Sequence, residues 1–223
     1  MAGLARLLWR LDQRRLPVHV TAVARRTFAT MASSVGGPRG LVLGQLVNPA
    51  LTNRALDLLG ERGRPFEPLL HNTVSPTVLH GSDTVNVIPS EVSVELDGRL
   101  LPGYGLDDLI RELRQVLGHG VELEVIRHDP GPSEPDMGLF DELAGILREA
   151  DPDGVPVPLL LSGVTDARFF ARLGIQTYGF LPMRLPAGFD FSRTIHAADE
   201  RISEGAVEFG ADAIFTALQR FGG

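Results

Sequence analysis

The sequence predicts an α/β chain in two parts. Residues 1–130 read as an α+β layer, one antiparallel sheet with helices on one face. Residues 131–223 read as part of a mostly parallel α/β layer. Three observations carry this. First, Glu91–Leu101 alternates, with Val92, Val94 and Leu96 on one face and Ser93, Glu95, Asp97 and Arg99 on the other, the period of a half-buried strand. Second, Leu106, Leu109, Ile110, Leu113, Val116 and Leu117 recur at helical spacing just beyond it, the stripe of an amphipathic helix. Third, Asp129-Pro-Gly-Pro-Ser-Glu-Pro-Asp136 holds three prolines. Proline at that density forbids a regular element and marks a boundary.

The elements follow in order. Leu4, Leu7, Leu8 and Leu11 space a first helix, which Pro17 ends or kinks. Val20, Val23, Ala24, Phe28 and Met31 share one face of a second. Ser33–Gly40, with Gly36, Gly37, Pro38 and Gly40, reads as a loop. It superficially resembles a phosphate cradle, but no Gly-Lys-Ser/Thr follows, which gives that reading little weight. A short helix comes next, with Asn48 as its cap, Pro49 in its first turn and Gly60 at its end. Strands are expected over about 69–79, 91–101 and 121–126. In the last, Val121, Leu123 and Val125 alternate with Glu122 and Glu124. The helix between the second and third strands has Asp107 and Asp108 in its first turn and Gly118 as its stop. After the proline-rich boundary the pattern reads helix (139–150), strand (155–161), helix (165–173), strand (175–180) and a long last helix (203–221). Strands buried on both faces need neighbours on both edges, so this second segment reads as part of a domain.

Composition narrows the function classes. The chain of 223 residues is 43% hydrophobic and 22% charged, ordinary for a globular protein. Cysteine is absent, so any metal must be held by His, Asp or Glu. The net charge of −7 argues against nonspecific nucleic-acid binding. All 21 basic residues are arginine, for which a GC-rich coding bias, and so a bacterial source, is the simplest account. A cytoplasmic location is expected. Residues 1–40 carry seven arginines and one acid, Asp12. A transit peptide has that balance, but a surface or lid helix is the preferred reading. No run approaches the ~18 apolar residues of a membrane span.

Known catalytic motifs are mostly absent. There is no Gly-x-Ser-x-Gly elbow and no His-Glu-x-x-His. The six histidines are His19, His71, His80, His119, His128 and His196, scattered along the chain. Two segments stand out. One is Asp83-Thr-Val-Asn-Val-Ile-Pro89 running into the strand that ends Asp97-Gly-Arg99. The other is Ser162-Gly-Val-Thr-Asp166, a glycine-containing turn from an expected strand into a helix, followed by His196. Such a turn exposes backbone N–H groups at a helix start, where an anion or carbonyl oxygen docks.

These segments resemble a family of zinc-dependent exopeptidases and amidohydrolases. It includes aminoacylase, acetylornithine deacetylase, succinyl-diaminopimelate desuccinylase, carnosinase and glutamate carboxypeptidase. Asn86-Val-Ile-Pro89 and Asp97-Gly-Arg99 are similar to its lid domain. Ser162-Gly-Val-Thr-Asp166, Gly174-Ile175, His196 and Asp199-Glu200 are similar to the closing third of its catalytic domain. Thr73-Val-Ser-Pro-Thr77 resembles the carboxypeptidase S-like branch. The resemblance runs over most of the chain, more loosely across 31–68.

The resemblance implies a ferredoxin-like α+β lid of the dimerisation type lacking its first strand, over 1–130. It implies the C-terminal part of a mostly parallel catalytic domain over 131–223. It implies hydrolysis of an amide beside a free carboxylate, in an N-acyl amino acid or a dipeptide-like molecule. Two zinc ions sharing a water, with a glutamate as general base, do this in the family. The substrate groups carried over are Asn86, Arg99, Ser162, Gly163 and Thr165, and the metal ligand is His196. The family's His-x-Asp motif and Glu-Glu pair have no counterpart here. The chain is therefore expected to be a truncated C-terminal portion, inactive alone and without retained zinc. A homodimer through the lid is also expected. One half of a split enzyme and a non-catalytic dimerisation or binding module are the alternatives. For Arg99 itself, an ion pair with Asp97 on the same strand face competes with substrate binding. For Asn86, the competing role is that of a turn residue.

Overall fold

The structure is a computed structural model that describes residues 2–130 and 134–221. Of the proline-rich boundary, Gly131, Pro132 and Ser133 lie outside the described residues. The chain is a mixed α/β protein with one small sheet and several helices. It divides into two compact units, Met1–Pro135 with Leu159–Gln176, and Asp136–Pro158 with Thr177–Gly223.

The first unit opens with helix α1 (Ala2–Gln13) and helix α2 (Ala22–Val35). Thr21 caps α2 by accepting a hydrogen bond from the Ala24 amide at 3.1 Å, which satisfies one of the donors a helix start leaves free. The expected loop over Ser33–Gly40 is confined to a break at Gly36. Helix α2 runs to Val35, and helix α3 (Gly37–Gln45) starts at once with a proline in its first turn. Gly40 permits this tight reversal, because a β-carbon there would sit 2.4 Å from the Ala32 carbonyl oxygen. Helix α4 (Thr52–Leu59) begins later than expected. Asn48 is not its cap: its carboxamide accepts from the Ala50 amide at 3.2 Å, and its carbonyl accepts from Thr52. Gly60 ends α4 with a φ of 56°, and two 3-10 turns, Gly60–Arg62 and Arg64–Leu69, lead to the sheet. Phe28, Leu43, Leu46, Leu56, Leu69 and Leu70 form the core of this helical region, with Phe28 edge-on to Phe66.

Strand β1 (Thr73–His80) pairs antiparallel with strand β2 (Ser93–Arg99), placing Thr73 opposite Arg99. The register shifts between Pro76 and Val78, the kind of irregularity where a strand tolerates proline. Helix α5 (Leu106–Leu117) follows as expected, with Gly118 at its end. Leu109, Leu113, Val116 and Leu117 cluster with Leu16, joined by Leu7 and Leu11 of α1 and by Val121 and Leu123.

The expected strand over 121–126 does not form. Val121 and Leu123 still point inward while Glu122 and Glu124 point out. No neighbouring strand pairs with them among the described residues, and a strand's backbone is satisfied only by a partner. The expected strands over 155–161 and 175–180 are likewise absent. Pro156 and Pro158 remove two ladder donors from the first. Leu159, Leu161 and Ile175 stand exposed. The short helix α7 (Ala167–Ala171) lies between these segments in sequence.

In the second unit, helix α6 (Phe140–Ala150) and helix α9 (Glu204–Phe221) pack together, with the short helix α8 (Phe191–Thr194) before α9. Ala206, Gly210 and Ala213 form the buried face of α9. Gly210 is small of necessity, since a β-carbon would lie 2.7 Å from the Pro182 carbonyl oxygen. Arg220 ties the two helices by bonding Glu142 and Glu149 at 3.2 and 2.5 Å.

Candidate functional site

Arg99 ends β2, and the strand's twofold period turns its side chain to the same face as Asp97. Its Nε donates to the Asp97 carboxylate at 3.1 Å, and its Nη1 donates to the Ser162 carbonyl at 2.9 Å. The expected ion pair with Asp97 therefore exists. It leaves the guanidinium half exposed and joined to the Ser162 turn, 63 residues away in sequence. A guanidinium fork can hold two partners and keep further donors free.

The Ser162 turn is open. Ser162, Gly163 and Thr165 are exposed. A β-carbon at Gly163 would meet only the Leu161 side chain, at 3.9 Å, so this glycine leaves room above the backbone. Thr165 starts α7: its hydroxyl accepts from the Ala167 amide and its carbonyl from the Arg168 amide, both at 3.3 Å.

Asn86 sits in an exposed turn where the Val87 amide donates to the Thr84 carbonyl at 3.2 Å. Val85 and Ile88 beside it are almost fully exposed. No hydrogen bond ties this turn to Arg99 or Ser162 among the described residues.

His196 belongs to the second unit. It is exposed, in a turn after α8, with the Ala197 amide donating to the Thr194 carbonyl at 3.2 Å. Its φ of 58° is positive, the one such value for a non-glycine among the described residues. That conformation is uncommon for a residue with a β-carbon, and histidine adopts it more often than most. A cleft of about 350 Å³ lies beside this turn, with Asp190, Arg193, Asp199 and Arg201 in its wall. No group of three His, Cys, Asp or Glu side chains is arranged to hold a metal ion among the described residues.

One polar constellation was missed from sequence. Glu112 of α5 is 3% exposed, and His71 and Asn72 are 2% and 1% exposed. The Glu112 carboxylate accepts from His19 Nε2 at 2.6 Å and from Asn72 Nδ2 at 3.2 and 3.1 Å. The Asn72 oxygen accepts from the Leu101 amide at 2.9 Å. His19 stacks at 4.0 Å on Tyr104, whose hydroxyl is pushed up by burial and by the charges of Asp108 and Glu112. His71 Nδ1 donates to the Leu16 carbonyl at 2.7 Å, leaving Nε2 buried without a partner. Burial lowers the His71 pKa, opposed by the Leu16 carbonyl. This cluster lies behind the end of the sheet that bears Arg99, because Asn72 precedes β1 and Leu101 follows β2. The signal was available: Glu112 falls between Leu109, Leu113 and Val116 on the apolar face of its helix, where an unpaired charge would be costly.

Known proteins place the chain. The model of peptidase family M20/M25/M40 matches residues 19–220. The human N-fatty-acyl-amino acid synthase/hydrolase PM20D1 is 26% identical over 223 residues, covering 97% of this chain and 43% of that protein. Its Bos taurus counterpart is 27% identical over 217 residues, covering 89% and 43%. A probable carboxypeptidase S-like 2 of Dictyostelium discoideum is 28% identical over 142 residues, covering 62% of this chain and 27% of that protein. No solved structure matches. The chain thus spans less than half the length of these curated relatives. The family match over residues 19–220, nine-tenths of the sequence, settles membership: the chain belongs to peptidase family M20/M25/M40.

Proposed function

We propose that this chain supplies substrate-binding groups to a metal-dependent hydrolase that cleaves an amide or peptide bond beside a free carboxylate. The substrate class is an N-acyl amino acid or a dipeptide-like molecule. Arg99 binds the carboxylate, for which a charged fork is well suited. Ser162, Gly163 and Thr165 contact the substrate from their exposed turn, and Asn86 contacts the scissile carbonyl. Residues 1–130 then act as a ferredoxin-like lid through which two copies pair, and residues 131–223 as part of the catalytic domain. The protein works in the cytoplasm of a bacterium.

The observation that carries this reading is the bond from Arg99 to the Ser162 carbonyl. It joins the two motifs that bear the proposed substrate groups, in a chain matched by the family from 19 to 220.

Zinc is the family's expected metal, and His196 is the residue offered for it. The described residues do not fit that role alone, because no second and third ligand stand near one another and a zinc ion takes about four. The remaining ligands and the general base would come from sequence this chain does not carry. Incubating the purified chain with zinc and an N-acyl amino acid tests this. The expected result is no turnover and less than stoichiometric zinc. Stoichiometric zinc together with turnover would overturn it. A second polypeptide that co-purifies from the native source and restores turnover selects the split-enzyme form. A binding-module role predicts retention of N-acyl amino acids with no turnover under either condition.

A further inference from the structure

In several ion pairs among the described residues an arginine meets one or two carboxylates. Arg15 meets two carboxylates, Asp57 and Glu67. Arg220 also meets two, Glu142 and Glu149. Arg64, Arg99, Arg111 and Arg201 each meet one. At Asp129 the ratio inverts. Three guanidiniums converge on its single carboxylate: Arg127 at 2.7 Å, Arg168 at 3.2 Å and Arg172 at 2.5 Å.

The inversion leaves two positive charges uncompensated, in a chain whose acids outnumber its bases 28 to 21. Arg168 and Arg172 are four apart and so share a face. Their guanidiniums lie 4.6 and 5.7 Å from the centre of the Phe169 ring, a contact that favours fixed orientation. Asp129 and Arg168 are each about a quarter to a third exposed, so that pair meets partly out of water, while Arg127 and Arg172 are 72% and 46% exposed and open to a ligand. The Arg168 Nε is buried with no partner. Burial would raise the Asp129 pKa, but Arg127, Arg172 and Arg168 hold it below the ordinary value. The carboxylate therefore stays ionised and still satisfies only part of the donors around it. Each fork carries five N–H groups.

We propose that Arg127, Arg168 and Arg172 form a binding site for a small divalent oxyanion, phosphate or the phosphoryl group of a small ester, with Asp129 as the internal counter-ion that holds the forks in place. Arginine forks match the geometry of phosphate oxygens. A ligand with two charges neutralises the surplus, whereas a chloride neutralises half of it. The site does not depend on the hydrolase reading, and its test needs no catalysis.

The purified chain is titrated at low ionic strength with inorganic phosphate and, separately, with glycerol phosphate, followed by phosphorus NMR. Saturable one-to-one binding is expected, weakened at least tenfold in Arg127→Gln/Arg172→Gln. Equal affinity for the two probes identifies free phosphate as sufficient. Tighter binding of the ester identifies a phosphorylated metabolite. Arg127 is 72% exposed, so Arg127→Gln alone serves if the double variant fails to fold, with a smaller loss expected. Absence of saturable binding overturns the proposal, as does binding that is unchanged in the variants.

Discussion

The helices between Thr21 and Leu70 and the stretch between Val155 and Ile202 draw on similar amino acids and end differently. The first region buries Val23, Phe28, Leu43, Leu46, Leu56, Leu69 and Leu70. The second buries none of its described Val, Leu, Ile or Phe residues, and Leu159, Leu161, Val164, Leu173, Ile175 and Leu181 are exposed. The cause is where each element finds its hydrogen bonds. A helix closes its backbone within itself and then needs only a face to pack. A strand needs a neighbour before its side chains can be held. The candidate substrate turn, Ser162 to Thr165, lies in the region without such neighbours. Its tie to the sheet is the Arg99 bond to the Ser162 carbonyl.

The largest effect that sharpens this contrast is expected at Phe28, which is fully buried against Phe66. Phe28→Ala should destabilise the chain by about 3–5 kcal/mol, read from urea unfolding. A loss below about 1 kcal/mol would mean that the helical core is not packed as described. Next comes Glu112→Ala, which strips His19 and Asn72 of their shared acceptor. Leaving the buried Asn72 donor and the half-buried His19 donor unpaired should cost about 1–3 kcal/mol, and an unchanged unfolding midpoint would contradict the cluster.

A smaller effect concerns pH. Burial lowers the His71 pKa in the fold, so the native state favours neutral imidazole. The unfolded chain takes up its proton near pH 6.5 while the folded chain does not. The contribution of His71 is therefore complete above that pH and is lost as pH falls towards the depressed native value. The urea midpoint should drop between pH 7.5 and 5.5, and His71→Asn, which keeps a donor for the Leu16 carbonyl, should drop less. Equal drops would remove His71 from the account. The smallest effect belongs to the open region: Leu173, 74% exposed, should tolerate alanine within about 0.5 kcal/mol. A cost like that of Phe28→Ala would erase the contrast.

The same physics decides what the sequence made legible. Helix α5 could be read with its start and stop because Leu106 to Gly118 carry both locally. The β1–β2 pair was readable because two neighbouring strands complete one another. The segments 121–126, 155–161 and 175–180 have the side-chain pattern of strands, but no neighbour pairs with them among the described residues. Pattern reports burial preference and says nothing of partners. At the candidate site, Arg99 and Ser162 were legible as separate motifs, and the bond between them was not, since it spans 63 residues. The cluster of His19, Asn72 and Glu112 was half legible. A charge on the apolar face of α5 required partners, but nothing local named residues 93 and 40 positions earlier.

The contrast between a self-sufficient helical core and an unsupported motif-bearing stretch is tested most directly by amide hydrogen exchange with mass spectrometry. Peptides from Thr21 to Leu70 should exchange slowly, at rates set by global unfolding. Peptides covering 155–161 and 175–180 should exchange within seconds to minutes, close to unstructured chain. Protection of those two segments equal to that of the helical core would show them to be paired strands and would contradict the account.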